Sequence, residues 1–366
     1  MSVLTSPPKS PVGTPVSNSL TAGKLPRYAS VYVLVSCIAV MSAIFAMVAI
    51  AGGTDFNIAA AVFLGVVAYV VVIWVLSRAV EGPRKAADRL VTALVATAFT
   101  IALLPLISVT YTTIVNGLPR FDIQFFSESM RNVVGPGGGA LHAIVGTLLV
   151  TGMAALISVP VGLLAAIYLV EYGRGRLKHG ITFFVDVMTG IPSIVAGLFA
   201  FALFALITDD PGIRFGFGGS VALSVLMIPV VVRSSEEMLK LVPNELREAS
   251  YALGVPKWLT ILKVVLPTSI AGIITGVMIS IARVIGETAP LLIIAGFTTS
   301  MNYNLFAERM MTLPVFVYTQ YANQGADTQA YIDRAWAGAL TLILIVALLN
   351  VIARVVAKVF SPKTGR

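Results

Sequence analysis

The chain has 366 residues, 57% of them apolar and 11% charged, with a net charge of +8. Apolar runs of twenty or more residues place it in a bilayer and exclude a soluble globular fold. The basic residues sit at the ends of those runs, which excludes nucleic acid as the partner of the positive charge.

Residues 1–28 are rich in proline and polar residues and predict a disordered cytoplasmic tail with no secretory signal. Eight apolar segments follow, at 29–51, 57–77, 90–115, 143–170, 181–207, 220–232, 269–295 and 336–353. Most are long enough to span a core of ~30 Å at ~1.5 Å per residue. Segment 220–232 is short and contains Pro229, but the charge pattern requires it. With eight crossings, Lys and Arg gather on one side, in the tail, in 78–89, 174–178 and 233–263, and after 353. The opposite loops hold only Arg120, Arg131, Arg214, Arg309 and Arg334. Both termini are therefore predicted to be cytoplasmic.

The first two segments form a hairpin, 29–80, set apart by the basic linker 77–88, with no charged side chain inside either run. Packing, lipid contact and an assembly role all remain open for it. The third segment leads to an external loop with the cluster Gly135-Pro-Gly-Gly-Gly139, which lacks the Lys-Ser or Lys-Thr of a nucleotide loop. No such motif occurs anywhere in the chain, so any ATP that drives it is hydrolysed by another subunit. Cys37 is the sole cysteine, and His142 and His179 stand without ligand-like spacing, so no metal site is expected. In the fifth segment Pro192 predicts a mid-helix kink, and Asp186 a helix-interface bond or a place on a path. The aromatic-rich stretch 297–335 predicts a surface-lying helix or a docking face for an extracytoplasmic partner.

Residues 233–268 read as a cytoplasmic loop of two short helices joined by a tight elbow. Asn244 is placed to cap the first, Gly254 to end it in the left-handed conformation, and Pro256 to open the second. Beyond the loop, Arg283 falls about 20 Å into its segment, too deep to snorkel easily. A central Arg costs roughly 2.5–3.5 kcal/mol on insertion scales and needs a partner or a watery cavity. Glu287 at i+4 predicts a pair on one helix face, and Gly286 between them allows a second helix to approach. A structural salt bridge and a weak, releasable anion site both fit that arrangement. Arg233 with Glu236 and Glu237 repeats the spacing nearer the cytoplasm, where an interfacial charge cluster is the plainer account.

Glu248-Ala249-Ser250, Gly254, Val264 and Leu266-Pro267 resemble the cytoplasmic signature of bacterial ABC-importer permeases, with Ser250 and Val264 as departures. Gly190-Ile-Pro-Ser-Ile-Val-Ala-Gly-Leu-Phe199, the string from Arg233 to Pro243 and the string from Ala282 to Leu292 resemble successive signatures of the phosphate-specific permeases. Leu313-Pro-Val and Ala335-Trp-Ala337 also fit. The resemblance covers about 90–360 and omits the tail and hairpin.

It implies an all-α integral membrane protein, a six-helix type I ABC importer permease core plus the extra two-helix hairpin. It places the substrate path on Arg233, Glu236, Arg283 and Glu287. It places the ATPase contact on Glu248, Ala249, Ser250, Gly254, Leu266 and Pro267. The implied partners are two ATP-binding subunits, a sister permease and an external phosphate-binding protein, with ATP and Mg held by a partner and no cofactor here. Sulfate or molybdate as cargo, and ion-coupled secondary transport, are the rivals.

Overall fold

The computed structural model describes residues 23–26, 28–52 and 55–360, so most of the predicted tail lies outside the described residues. Every regular element among them is helical: α1 (Ala29–Gly52), α2 (Ile58–Val80), α3 (Pro83–Gly117), α4 (Ile123–Ser127), α5 (Leu141–Ile167), α6 (Gly175–Thr189) and α7 (Ser193–Thr208). Then come α8 (Gly216–Lys240), α9 (Asn244–Ala252), α10 (Lys257–Thr260), α11 (Leu266–Val284), α12 (Ala289–Ile294), α13 (Leu313–Ala322) and α14 (Thr328–Phe360). Seven helices among the described residues are long and apolar enough to cross a membrane, and α6 with α7 makes an eighth if that bent pair is one span. The chain forms two compact units, one up to Val109 and one from Thr110 onward.

In the first unit α1 and α2 touch backbone to backbone at Gly65, where a Cβ would stand 2.8 Å from Ile38 Cα. Asn57 caps α2 by accepting from Ala60 N–H at 3.0 Å. The base of this hairpin is tied by a buried carboxylate. Glu81 accepts from Arg89 Nε at 2.5 Å and Nη2 at 3.0 Å, from Ser77 Oγ at 2.9 Å and from Leu25 N–H at 3.1 Å. The Arg89 hydrogen bonds, working against burial, hold the Glu81 carboxyl down at about 2. A charged residue thus organises a hairpin whose apolar runs carry none.

In the second unit α5 and α8 run parallel in constant register. Ser220 Oγ donates to Val150 O at 3.0 Å and Ser224 Oγ to Ala154 O at 3.4 Å. A Cβ on Gly162 would sit 2.7 Å from Val231, so absent side chains allow the two helices to meet closely. Helix α11 lies antiparallel to α8, with Gly276 opposite Ser234 and Gly272 opposite Met238. The core between them includes Val150, Leu223, Met227, Val231, Val284 and Leu291.

Four expectations need correction. The fifth segment is broken, with a bend of 110° between α6 and α7, and Pro192 is the residue that precedes α7. Without its own N–H, proline suits a helix start and disrupts a helix interior. The short sixth segment is the 25-residue α8, which carries Arg233, Glu236 and Glu237 within the helix. The seventh segment is also interrupted, since α11 ends at Val284 and α12 begins at Ala289. In the stretch 297–335, α13 buries Leu313, Pro314, Val315 and Phe316, so it packs into the core and does not lie on the surface. The Gly135–Gly139 loop turns its carbonyls to cations. Buried Arg334 donates to Gly135 O at 2.7 Å and Gly137 O at 3.0 Å, and Arg120 to Gly138 O at 2.5 Å.

Candidate functional site

The elbow follows α8. Gly254 has φ +74°, the left-handed conformation expected of it, and ends the turn after α9. Pro243 and not Asn244 precedes the helix; the Asn244 side chain accepts from Arg247 Nη1 at 3.3 Å. The expected second short helix is not separate. From Lys257 the chain runs through a wide turn at Ile261–Val265 directly into α11, and the 28 residues Lys257–Val284 form one candidate span. Pro267, at the head of α11, has no N–H for the carbonyl four residues back, in keeping with a widened turn beside it. Ser250, a departure from the family pattern, is buried, and its hydroxyl pairs with Thr260 Oγ1 at 2.8 Å across the elbow.

Two residues outside the signatures brace this elbow. Arg247 donates to Glu171 Oε1 through Nε at 3.0 Å and Nη2 at 2.9 Å. It also reaches Val242 O at 2.5 Å and Leu239 O at 3.0 Å at the end of α8. Lys257 donates to Glu171 O and lies 4.9 Å over the Tyr172 ring. The turn that follows α5, the end of α8 and both arms of the elbow are therefore tied together. No local pattern joins residues 171 and 247, so sequence reasoning missed them. Side-chain exposures of 12% and 5% make this a nearly dry pair, and breaking such a pair costs about 3–5 kcal/mol. Arg247→Ala is expected to lower the unfolding temperature of the purified protein and to speed proteolysis within residues 241–256. Arg247→Lys, which keeps charge and loses the fork, should fall between. Unchanged proteolysis in the Ala variant would remove the brace.

On the outside of the elbow Leu241, Leu246, Tyr251, Leu253, Trp258 and Leu262 are exposed, as are Glu248, Ala249 and Pro267, while Leu266 is half-buried. Of these, Leu241, Leu246, Tyr251 and Leu253 lie between the candidate spans Gly216–Lys240 and Lys257–Val284, where lipid does not account for exposed apolar surface and a protein contact does.

Of the four residues assigned to the path, Arg233 and Glu236 come together on α8. Arg233 Nη1 donates to Glu236 Oε2 at 2.9 Å, and Lys240 Nζ to Glu236 Oε1 at 2.7 Å. Arg233 also pairs with Asp186 on α6, which gives Asp186 the helix-interface bond. Arg283 and Glu287 do not form the expected pair. Arg283 is exposed in the last turn of α11, and Glu287 lies in the non-helical link before α12, so the two do not share a helix face. Neither makes an ion pair among the described residues. A Cβ on Gly286 would meet nothing within 4 Å among the described residues, so no helix of this chain packs closely there. The close glycine is Gly197, where a Cβ would stand 2.5 Å from Pro290 Cα, and this contact joins two of the signature strings. From Gly276 opposite Ser234, helical rise places Arg283 about 10 Å from the level of Ser234, away from the elbow.

The second unit is thus a helical membrane bundle with a braced elbow, and with cations on the two helices that flank it, Arg233 on α8 and Arg283 on α11. Residues 158–366 match the family described as binding-protein-dependent transport system inner membrane component. The chain is 44% identical over 276 residues to the phosphate transport system permease protein PstA 1 of Mycobacterium tuberculosis (strain CDC 1551 / Oshkosh), covering 75% of this chain and 89% of that one. It is 39% identical over 275 residues to PstA of Pasteurella multocida, covering 74% and 95%. In outline it is similar to the inward-facing MetNI methionine ABC transporter, with a TM-score of 0.47 at 20% identity over 61% of this chain and 95% of that one. The chain belongs to the binding-protein-dependent transport system inner membrane component family and, within it, to the PstA-type phosphate transport permeases.

Proposed function

We propose that this permease is one half of the translocation path of an ATP-driven phosphate importer and carries the lever that a separate ATPase moves. The observation that carries this reading is the elbow, an exposed apolar surface tied by Arg247 and Lys257 to the ends of two long helices. Two ATP-binding subunits supply ATP and Mg, and one of them docks on Glu248, Ala249, Leu253 and Trp258. Closure of the ATPase pair swings α9, and the brace passes that motion to α5 and α8. Leu266 and Pro267 pass it to α11.

Arg233 with Glu236, and Arg283 with Glu287, line the path. Arg283 supports this by its exposure. A central cation that faces neither its own core nor a carboxylate needs a watery cavity or a facing subunit. A sister permease supplies that facing wall, and an external phosphate-binding protein delivers the cargo on the face opposite the elbow. Both termini lie on the elbow's side of the membrane, the cytoplasm.

Two measurements test this. A pull-down on the chain is expected to recover an ATPase and a second permease. Phosphate uptake is expected to stop on ATP depletion and to persist when the proton gradient is collapsed. The reverse pattern would establish ion-coupled transport, and competition by sulfate or molybdate would move the cargo assignment.

A further inference from the structure

A second cationic feature stands at the opposite end of α8 from the elbow, about 37 Å away by the rise of its 25 residues. Arg214 lies just before the first turn of α8, and its Nε donates to Ile293 O at 3.1 Å, which fixes the side chain against the end of α12. Arg309 reaches the same place from the loop that returns toward α13. Both stems rest on Gly296, where a Cβ would lie 3.0 Å from Arg214 Cδ and 3.3 Å from Arg309 Cγ and Cδ. Neither guanidinium makes an ion pair among the described residues.

The backbone around this pair is held on every side. Phe215 N–H donates to Ile294 O at 2.9 Å, Phe217 N–H to Leu305 O at 2.7 Å and Met310 N–H to Ala295 O at 3.1 Å. Asn302 Nδ2 donates to Ala307 O at 2.8 Å and to Arg309 O at 3.1 Å, stapling the loop that presents Arg309. Glu308, next to it, is left-handed at φ +60°, a strained state for a side chain that persists only where its surroundings impose it. The two arginines open onto a cavity of about 440 Å³ whose rim includes Asp210, Phe306 and Glu308. Two guanidiniums on stems that share one floor, Arg214 held by Ile293 O and neither committed to an ion pair among the described residues, form a receptor for an anion. Guanidinium forks match the oxygens of a tetrahedral oxyanion in particular.

We propose that Arg214 and Arg309 form an oxyanion-binding site for inorganic phosphate at the end of α8 remote from the elbow, a station occupied before the anion reaches Arg283. This rests on the import reading above. Asp210 and Glu308 on the rim offset part of the positive charge, so phosphate binds weakly enough to leave, as conduction requires. The register of α11 on α8 sets Arg283 about 20 Å further in, too far for one anion to touch both stations at once.

The test uses the assembled complex carrying Arg214→Gln together with Arg309→Gln. Import at limiting phosphate is expected to fall roughly tenfold or more, equivalent to one lost charge-assisted contact. Radiolabelled phosphate bound by the complex without its external binding protein is expected to fall in parallel, while retention of that protein is unchanged. The double Lys variant, which preserves charge, is expected to recover part of both signals; a variant that merely misfolds would not be rescued in this way. Unchanged import and phosphate binding would overturn the site. Loss of import together with loss of the binding protein would also overturn it, making the pair a protein-docking contact. A wild-type complex that imports no phosphate takes this inference down with the reading beneath it.

Discussion

Arg283→Ala is expected to reduce phosphate uptake by about a hundredfold or more in a complex that still assembles. The magnitude follows from losing two charge-assisted contacts to the anion, each worth roughly 1.5–3 kcal/mol. Assembly should survive because Arg283 is exposed and makes no ion pair among the described residues, so its removal orphans no buried carboxylate. Deleting a central arginine also removes an insertion penalty of ~2.5–3.5 kcal/mol, and yield should hold or rise. Radiolabelled phosphate uptake, normalised to the ATPase recovered with the chain, measures the effect. Arg283→Lys keeps the charge without the planar fork and should retain part of the rate. Normal uptake by an assembled Arg283→Ala complex would end the assignment of this residue to the path.

Gly254→Val is expected to abolish ATPase recruitment, or to leave ATP hydrolysis running without uptake. A Cβ at Gly254 meets nothing within 4 Å among the described residues, so the effect comes from the backbone. At φ +74° an L-residue pays ~1–2 kcal/mol, and a β-branched one is a stronger outlier there. The elbow is expected to escape that strain by opening, which would separate Ser250 from Thr260 and displace the exposed Leu253 and Trp258. The series Asn, Ala, Val at this position should therefore be graded. Asn tolerates the left-handed region and should keep most coupling, Ala should lose some, and Val nearly all. Co-purification of the ATPase and its hydrolysis rate, read beside uptake, distinguish a lost partner from a lost linkage. Equal behaviour of Asn and Val would show that the conformation of residue 254 does not matter.

The break at Arg283 and Glu287 shows where residue spacing misleads. An i+4 interval pairs two side chains only inside a continuous helix, and Pro290 removes the N–H that would close the turn back to Gly286. That signal was present in the sequence but competed with an unbroken apolar run. Pro192 behaved likewise, producing a 110° bend where a kink was expected. Asn244 failed as a cap for a different reason, because its side chain is taken up by Arg247, whose own place is set by Glu171 from another helix.

By itself the sequence determined the bilayer environment, five of the eight spans, the turn at Gly254 and the family signatures. These depend on composition, on helical rise and on the steric freedom of single residues, all of which act within a few positions. Only the tertiary structure decided that Arg247 braces the elbow to Glu171, that Gly197 seats Pro290, and that Arg214 and Arg309 share the floor at Gly296. Each joins residues tens of positions apart along the chain. Nothing local encodes such pairs, because they arise from the register in which packed helices and their connecting loops settle against one another.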